Sequence, residues 1–304
     1  MKPKLVVVLG PTAVGKTKIA VNLAAKFNGE IISADSRQVY KFMDIGTGKD
    51  LNEYSIENKN IPYHLINIIS PTEEYDLFKY QNDFRFAFKT ITAANRLPIL
   101  VGGTGLYLSS VLQGYNLSAV NFEEEMKLYE NYSFEELLEL LKSKNPKLHN
   151  TTDITDRKRL IRAIIIASAN QEKNTSSEMF DSLILGIHAD ISKVKKNIEA
   201  RLKFRLENGM IDEAKNLLNM GISFEKLKYF GLEYKFLSEY LQGNLNYNDM
   251  HQKLRSAIFN FAKRQMTWFR KMEKEGIKIN WIESEQFDFA SQLTRKFIEN
   301  GNDQ

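Results

Sequence analysis

Cysteine is absent from all 304 residues. Disulfide frameworks, cysteine-ligated zinc and thiol nucleophiles are therefore excluded, and the chain must fold on its apolar core alone. Histidine is scarce: His64, His149, His188 and His251 lie far apart, with no Glu-x-x-His or His-x-x-x-His spacing. They read as structural or incidental, and no protein-bound zinc is expected. Long apolar runs are missing too. Leu5 to Leu9 is too short for a signal segment, and nothing approaches the roughly 18 apolar residues of a membrane span. The expectation is a cytoplasmic protein that starts at Met1 and has no membrane partner. No repeat or low-complexity stretch occurs. What is present, a 43% hydrophobic content, suffices for one large or two modest domains.

Net charge is +4 with a pI near 8.9, an excess that permits a polyanionic partner without demanding one. Its distribution says more. Between positions 253 and 274 stand Lys253, Arg255, Lys263, Arg264, Arg270, Lys271 and Lys274 against Glu273 alone. A second basic knot is Arg157-Lys158-Arg159 with Arg162. A charge run is most simply a solvated helix face. In the first run Phe259, Phe261, Trp268 and Phe269 are interleaved, as either a core-facing stripe or a stacking surface.

The most specific stretch is Gly10-Pro11-Thr12-Ala13-Val14-Gly15-Lys16-Thr17, set between the strand-like Leu5 to Leu9 and a helix from Lys16 to Phe27. The pattern G-x-x-x-x-G-K-[ST] in that context is a phosphate-binding loop, or P-loop. Small residues let backbone N–H groups curl around anionic oxygens, and the helix N-terminus adds its dipole. Lys16 would neutralise phosphate charge and the Thr17 hydroxyl would ligate Mg²⁺.

Residues 1–114 alternate short apolar runs with helical patterns, the signature of a parallel sheet with crossover helices. A second strand, Glu30 to Ala34, ends at Asp35-Ser36. Ligands gather at the carboxyl ends of such strands, so Asp35 is the first candidate for a base; capping the next segment is the plainer role open to it. Asp44 to Lys49 reads as a loop with two glycines, Tyr63 to Ile68 as a further strand and Asp76 to Ala94 as a helix. Leu97 to Val101 is a buried strand that runs into Gly102-Gly-Thr-Gly-Leu-Tyr107. The Walker B aspartate that ends such a strand in nucleotide hydrolases is missing, which argues against ordinary ATP hydrolysis. Thr104 and backbone amides stand there instead.

After Gly114 the composition turns helical and charged, with Phe122 to Asn131, Ser133 to Lys142 and Asp153 to Asn170 as helices and Ser133 to Glu136 as a capping box. This is a helical insertion over residues 115–182 in a discontinuous core of residues 1–114 and 183–304. Leu183 to Ile187 returns to strand. Val194 to Asn208, Ile211 to Leu218, Phe224 to Leu241 and Met250 to Lys274 are helices, Ile277 to Ile282 closes the sheet, and Glu299 to Gln304 is a frayed tail.

The phosphate loop, Ser33 to Tyr40, Met43 to Lys49, Leu100 to Tyr107 and Ala262 to Phe269 together resemble tRNA dimethylallyltransferases, also called tRNA isopentenyltransferases, of the bacterial type without a zinc finger. Order and spacing of five blocks match over residues 4 to about 282. Lesser matches are Arg159 to Ala163, Ile198 to Arg201 and Gly209 to Ala214. The resemblance implies a P-loop NTPase-like parallel sheet with flanking helices and an inserted helical domain that binds the tRNA anticodon arm. It implies transfer of a dimethylallyl group from dimethylallyl diphosphate to N6 of the adenosine 3′ of the anticodon, with Mg²⁺, by a monomer. Gly10 to Thr17 and Arg201 would hold the diphosphate, and Asp35 would take the N6 proton. Thr104 matches the residue between the two substrates, and Ser36, Arg37 and Gln38 match the adenine-contacting stretch. The base must leave the anticodon-loop stack to reach them. Met126, Lys158, Arg159, Leu160, Ile161, Arg162, Lys263 and Arg264 fall on tRNA-binding positions.

The departures concern the tRNA grip. Ile258-Phe259-Asn260 stands where the bacterial pattern has Thr-Arg-Gln; Asn197 and Met126 stand where an arginine is common, and Ile165 where a glutamate is. None touches the phosphate loop, Asp35 or Thr104. Two alternatives stay open at this stage: an adenylate isopentenyltransferase acting on free nucleotide, which has no need of the basic insertion, and a P-loop small-molecule kinase, a class that also has a phosphate loop and an aspartate after its second strand and whose arginine-rich lid Arg157 to Arg162 could imitate. From another class, a non-catalytic RNA-binding switch would leave Asp35 and Thr104 without a purpose.

Overall fold

The computed structural model describes residues 2–56, 59–115, 122–144, 156–169 and 179–300. By contacts the chain forms two compact units, Met1–Leu112 with Met179–Gln304, and Gln113–Glu178.

The larger unit opens with strand β1 (Lys4–Leu9), helix α1 (Lys16–Lys26) and β2 (Gly29–Ala34). A short helix α2 (Asp44–Thr47), a two-residue-per-strand hairpin β3 (Ser55–Ile56) and β4 (Lys59–Asn60), and β5 (Tyr63–His64) follow. Then come α3 (Leu77–Ala93), β6 (Leu97–Gly102) and α4 (Gly105–Leu112). The smaller unit holds α5 (Phe122–Lys127), α6 (Phe134–Lys144) and α7 (Arg157–Ala169). The chain returns through β7 (Asp181–His188), α8 (Ile191–Glu207), α9 (Met210–Asn219), α10 (Phe224–Tyr229), α11 (Leu232–Leu241), α12 (Tyr247–Lys274), β8 (Asn280–Glu283) and α13 (Phe287–Glu299).

Six strands pair in the order β5-β2-β6-β1-β7-β8, every pair parallel. The parallel α/β expectation is met. Because helices cover both faces, the central strands read as unbroken apolar runs, and Leu5 to Leu9 are fully buried. The registers Leu9 with Gly102 and Ala34 with Gly102 bring the carboxyl ends of β1, β6 and β2 side by side. A Cβ on Gly102 would run into the Ala34 carbonyl oxygen, so only glycine permits this approach.

Several element boundaries differ from expectation. Asp44 to Thr47 is a helix, and the strand at Tyr63 stops at His64 because Leu65 and Asn67 turn to positive φ (62° and 57°). The helix expected from Phe224 to Leu241 is two, broken where Gly231 takes φ 119°. The first insertion helix ends at Lys127, and α12 starts earlier, at Tyr247, because Asn246 caps it through the Asp249 N–H. Helix α13 was not foreseen. Positions 153–155, 170 and 301–304, parts of the expected α7 and tail, lie outside the described residues. Among the described residues no helix is long and apolar enough to cross a membrane.

The smaller unit has its own core of Leu137, Leu141, Leu160, Ile161, Ile164 and Ile165, with Met126 packed against it. Its capping box forms as expected: Glu136 N–H donates to Ser133 Oγ at 3.2 Å, and Ser133 N–H to Glu136 Oε2 at 2.6 Å.

Candidate functional site

The phosphate loop is held open by three devices. Gly10 lies so close to β7 that a Cβ would strike the Ile187 carbonyl oxygen. Ala13 and Gly15 take positive φ, 63° and 85°, folding the loop back onto the start of α1. Asn197 of α8 donates from Nδ2 to the Ala13 carbonyl at 2.9 Å. Helix α1 starts without a side-chain cap, whereas Asp76, Ser223 and Asn246 cap α3, α10 and α12. Uncapped first-turn amides plus the helix dipole make an anion site. Two loop residues are corrected as amide donors: Thr12 N–H donates to Gln265 Oε1 at 2.9 Å, and Pro11 has no N–H, so neither offers an amide to an anion.

Lys16 Nζ donates to the Pro11 carbonyl at 2.5 Å, lying back along the loop. Loss of solvent pushes its pKa down from 10.5 to about 7, Arg201 adds to the fall, and Asp35 opposes it. Lys16, Arg201 and Asp35 thus share one electrostatic environment.

Asp35, Ser36, Arg37 and Gln38 follow β2 directly and are half-buried. Asp35 Oδ1 accepts from Arg37 N–H at 2.9 Å, a local turn that leaves its second oxygen out of that bond. Thr104 Oγ1 accepts from Ser36 N–H at 3.2 Å, and Thr104 N–H donates to the Ala34 carbonyl at 3.2 Å. The Asp35 and Thr104 turns are therefore stitched together. Gln38 is engaged within the protein, accepting from Ser33 Oγ at 2.9 Å and donating to the Gly48 carbonyl at 3.3 Å. The Arg37 guanidinium lies 5.0 Å over the Tyr229 ring.

Beside the phosphate loop a cleft is lined by Thr12 and Ala13, by the apolar Ile198, Leu202, Met210 and Ile258, and by Arg201, Arg205 and Glu233. Arg201 and Arg205 both reach Asp50 Oδ2, at 2.7 and 3.3 Å. The Arg201–Asp50 pair is about two-fifths exposed on each side (40% and 39%), so a stronger anion competes readily for it.

In the smaller unit Lys158 and Arg159 are exposed, and the side chain of Arg162 lies outside the described residues. Leu160 and Ile161 are corrected: both are buried in that unit's core, as is Ile165, and Met126 packs on the same core, so the hydrocarbon serves folding. Arg157 Nη2 donates to the Tyr129 and Glu130 carbonyls, both at 3.1 Å, a structural use of that cation.

On α12 the buried stripe is Met250, Leu254, Ile258, Ala262, Gln265, Phe269 and Met272. Lys253, Arg255, Lys263, Arg264, Arg270, Lys271 and Lys274 occupy the exposed face. The aromatics divide: Phe269 is core and Phe261 is exposed beneath Arg264, 5.7 Å from its ring, while Phe259 is flanked by Lys195 and Lys263 at 4.9 and 4.6 Å.

Sequence reasoning missed Gln265, Arg205 and Glu213. Arg205 was findable as the residue four after Arg201 on one helix face. Glu213 Oε2 accepts from Asp44 and Ile45 N–H at 2.6 and 2.8 Å; its Oε1 accepts from Gly46 N–H at 2.8 Å and Tyr234 OH at 2.6 Å. It thus caps α2 from 169 residues away. Lys49 Nζ completes that corner, donating to the Tyr40 carbonyl, Asp44 Oδ1 and Asn67 Oδ1 within 2.7 Å. Among the described residues no three His, Cys, Asp or Glu side chains converge on a metal position.

A sequence model described as IPP transferase matches residues 38–272, and one described as isopentenyl transferase matches residues 3–61. The tRNA dimethylallyltransferase 1 of Geotalea uraniireducens is 50% identical over 287 residues, 94% of each chain. That of Syntrophus aciditrophicus is 48% identical over 295 residues, 95% of this chain and 96% of its own. Among solved structures, the full-length tRNA isopentenylpyrophosphate transferase of Bacillus halodurans superposes with a TM-score of 0.70 at 32% identity, covering 98% of this chain and 96% of its own. A eukaryotic dimethylallyltransferase acting on tRNA superposes with a TM-score of 0.76 at 25% identity, covering 98% and 80%. With a phosphate loop, an aspartate and a threonine on three adjacent strand ends, and with relatives of this identity over nearly the whole chain, the protein belongs to the IPP transferase family of tRNA dimethylallyltransferases.

Proposed function

We propose that the chain prenylates tRNA, transferring a dimethylallyl group from dimethylallyl diphosphate to N6 of the adenosine 3′-adjacent to the anticodon. The observation that carries the reading is the stitched pair of turns: Asp35 and Thr104 stand on neighbouring strand ends beside the phosphate loop, where a hydrolase would have its Walker B aspartate.

In this reading the N6 lone pair forms a bond to C1 of the dimethylallyl group as the C1–O bond to diphosphate breaks. The N6 proton passes to Asp35. The α1 amides, Lys16 and Arg201 take up the charge that develops on the leaving oxygens, and Arg201 exchanges Asp50 for them. The Thr17 hydroxyl at the start of α1 would hold Mg²⁺, which when bound would supply further positive charge against the leaving group. The apolar wall of Ile198, Leu202, Met210 and Ile258 suits a branched hydrocarbon chain. Arg37, Ser36 and Thr104 face the base, and Lys158, Arg159, Lys263 and Arg264 offer exposed cations to RNA phosphates. A free-nucleotide acceptor would leave those cations and the helical unit without a purpose.

The test is incubation with dimethylallyl diphosphate, Mg²⁺ and total tRNA, followed by digestion and mass spectrometry for N6-prenylated adenosine, beside tubes holding AMP, ADP or ATP. Product in tRNA alone is expected. Product on free nucleotide alone, or ATP consumption without prenyl transfer, overturns the reading.

A further inference from the structure

Gln265 is the one polar residue on the buried stripe of α12, and its side chain is only 7% exposed. Both ends of its amide are used. Oε1 accepts from Thr12 N–H at 2.9 Å, and Nε2 donates to the Gly103 carbonyl at 2.8 Å. The reversed amide would set donor against donor and acceptor against acceptor, so the two contacts fix one orientation. Gly103 is glycine because a Cβ would strike Nε2, and Gly105 because a Cβ would strike the Trp268 indole. Trp268 in turn donates from Nε1 to Ser109 Oγ at 2.9 Å. Helix α12 thus grips the phosphate loop on one side and the turn carrying Thr104 on the other.

We propose that Gln265 is a positioning residue, which sets the separation between the phosphate loop and the Thr104 turn and hence between the bound diphosphate and the acceptor amine. The inference rests on the prenyl-transfer reading. It gives the buried amide a purpose that packing alone does not, since methionine or leucine would fill the same stripe. Transfer between two bound partners is steeply sensitive to their spacing, with about 1 Å of misplacement costing on the order of 10²-fold. Gln265→Met keeps the volume but leaves Thr12 N–H and the Gly103 carbonyl unpaired. Gln265→Glu keeps the acceptor for Thr12 but turns a carboxylate oxygen toward the Gly103 carbonyl; once protonated, it donates there as the amide did.

The experiment measures kcat and KM for both variants in the full-length chain, with tRNA and dimethylallyl diphosphate, together with melting temperature and calorimetric affinity for inorganic diphosphate with Mg²⁺. Gln265→Met is expected to lose roughly 10- to 100-fold in kcat per folded molecule with the KM for tRNA unchanged. It is also expected to bind diphosphate at least about fivefold more weakly, because an unpaired loop amide is free to reorient. Gln265→Glu is expected to match that loss at pH 8 and to recover toward the wild type as pH falls, while Gln265→Met stays flat relative to wild type. Unchanged kcat per folded molecule and unchanged diphosphate affinity in both variants overturn the inference, as does a pH-independent Glu variant. Should the wild type fail to prenylate tRNA, the functional reading fails, and the diphosphate affinities decide on Gln265 by themselves: weaker binding by Gln265→Met supports the clamp, equal binding refutes it.

Discussion

Binding of dimethylallyl diphosphate should be accompanied by uptake of nearly one proton at pH 8. Lys16 leans on the Pro11 carbonyl and is pushed down to about 7 by burial, with Arg201 beside it. A group of that pKa is roughly one-tenth protonated at pH 8. The diphosphate places negative charge against the ammonium and returns its pKa toward the ordinary 10.5, so the missing proton, about 0.9 per site, is taken from buffer. Affinity should accordingly fall as pH rises above 7, approaching about tenfold per pH unit, or about 1.4 kcal/mol. Stability of the protein without added diphosphate moves the other way: between 7 and 10.5 the unfolded chain binds more protons at this lysine, so the group adds stability as pH rises through that window. The assay is titration calorimetry without tRNA in buffers of different ionisation enthalpy. At pH 8 a phosphate's second ionisation, near 6, is complete, so the slope reports the protein. Lys16→Arg, charged at every accessible pH, should abolish the slope. A slope near zero in the wild type would mean that Lys16 is already charged before diphosphate is added, and the burial argument would fall.

Asp35→Asn keeps the turn acceptor for Arg37 but not the base, so kcat should drop by about 10²- to 10⁴-fold while tRNA affinity by filter binding stays within about twofold. Glu213→Ala leaves three α2 amides and the Tyr234 hydroxyl without their acceptor; the Gly46 amide and the Tyr234 hydroxyl are the buried ones, and at about 1–3 kcal/mol for each left unpaired the melting transition should fall by several degrees. Lys158→Ala with Arg159→Ala should weaken tRNA binding without altering diphosphate affinity and lower the slope of log K against log salt by one to two contacts' worth, about 0.7–0.9 each.

The parallel sheet, the phosphate loop and the aspartate and threonine turns were legible because each is written locally: an apolar run, a glycine spacing, a polar residue at a strand end. The α2 helix was not, because Asp44-Ile-Gly-Thr47 has poor helical propensity and is held by Glu213, far along the chain. The break at Gly231 was hidden for the opposite reason, since Phe224 to Leu241 keeps a helical period across it. Leu160 and Ile161 were drawn into the RNA-binding stretch by their neighbours Lys158, Arg159 and Arg162. A helix that presents cations on one side must bury its other side, and these two are that side.

The same logic accounts for the blocks that identify the chain. Each proves to be half of an interaction whose other half lies in a different block: Thr12 and Gly103 with Gln265, Ser36 with Thr104, and the amides of Asp44 to Gly46 with Glu213. Asn197, a departure from the bacterial pattern, is another such half through its bond to Ala13. An arginine there would keep a donor but add a second cation near Lys16 and Arg201, deepening the depression of the lysine. Asparagine supports the loop without that charge. The departure thus acts on how the phosphate loop is held and charged, although the sequence placed it with the RNA grip, and its effect should be read in diphosphate affinity and proton uptake before tRNA choice.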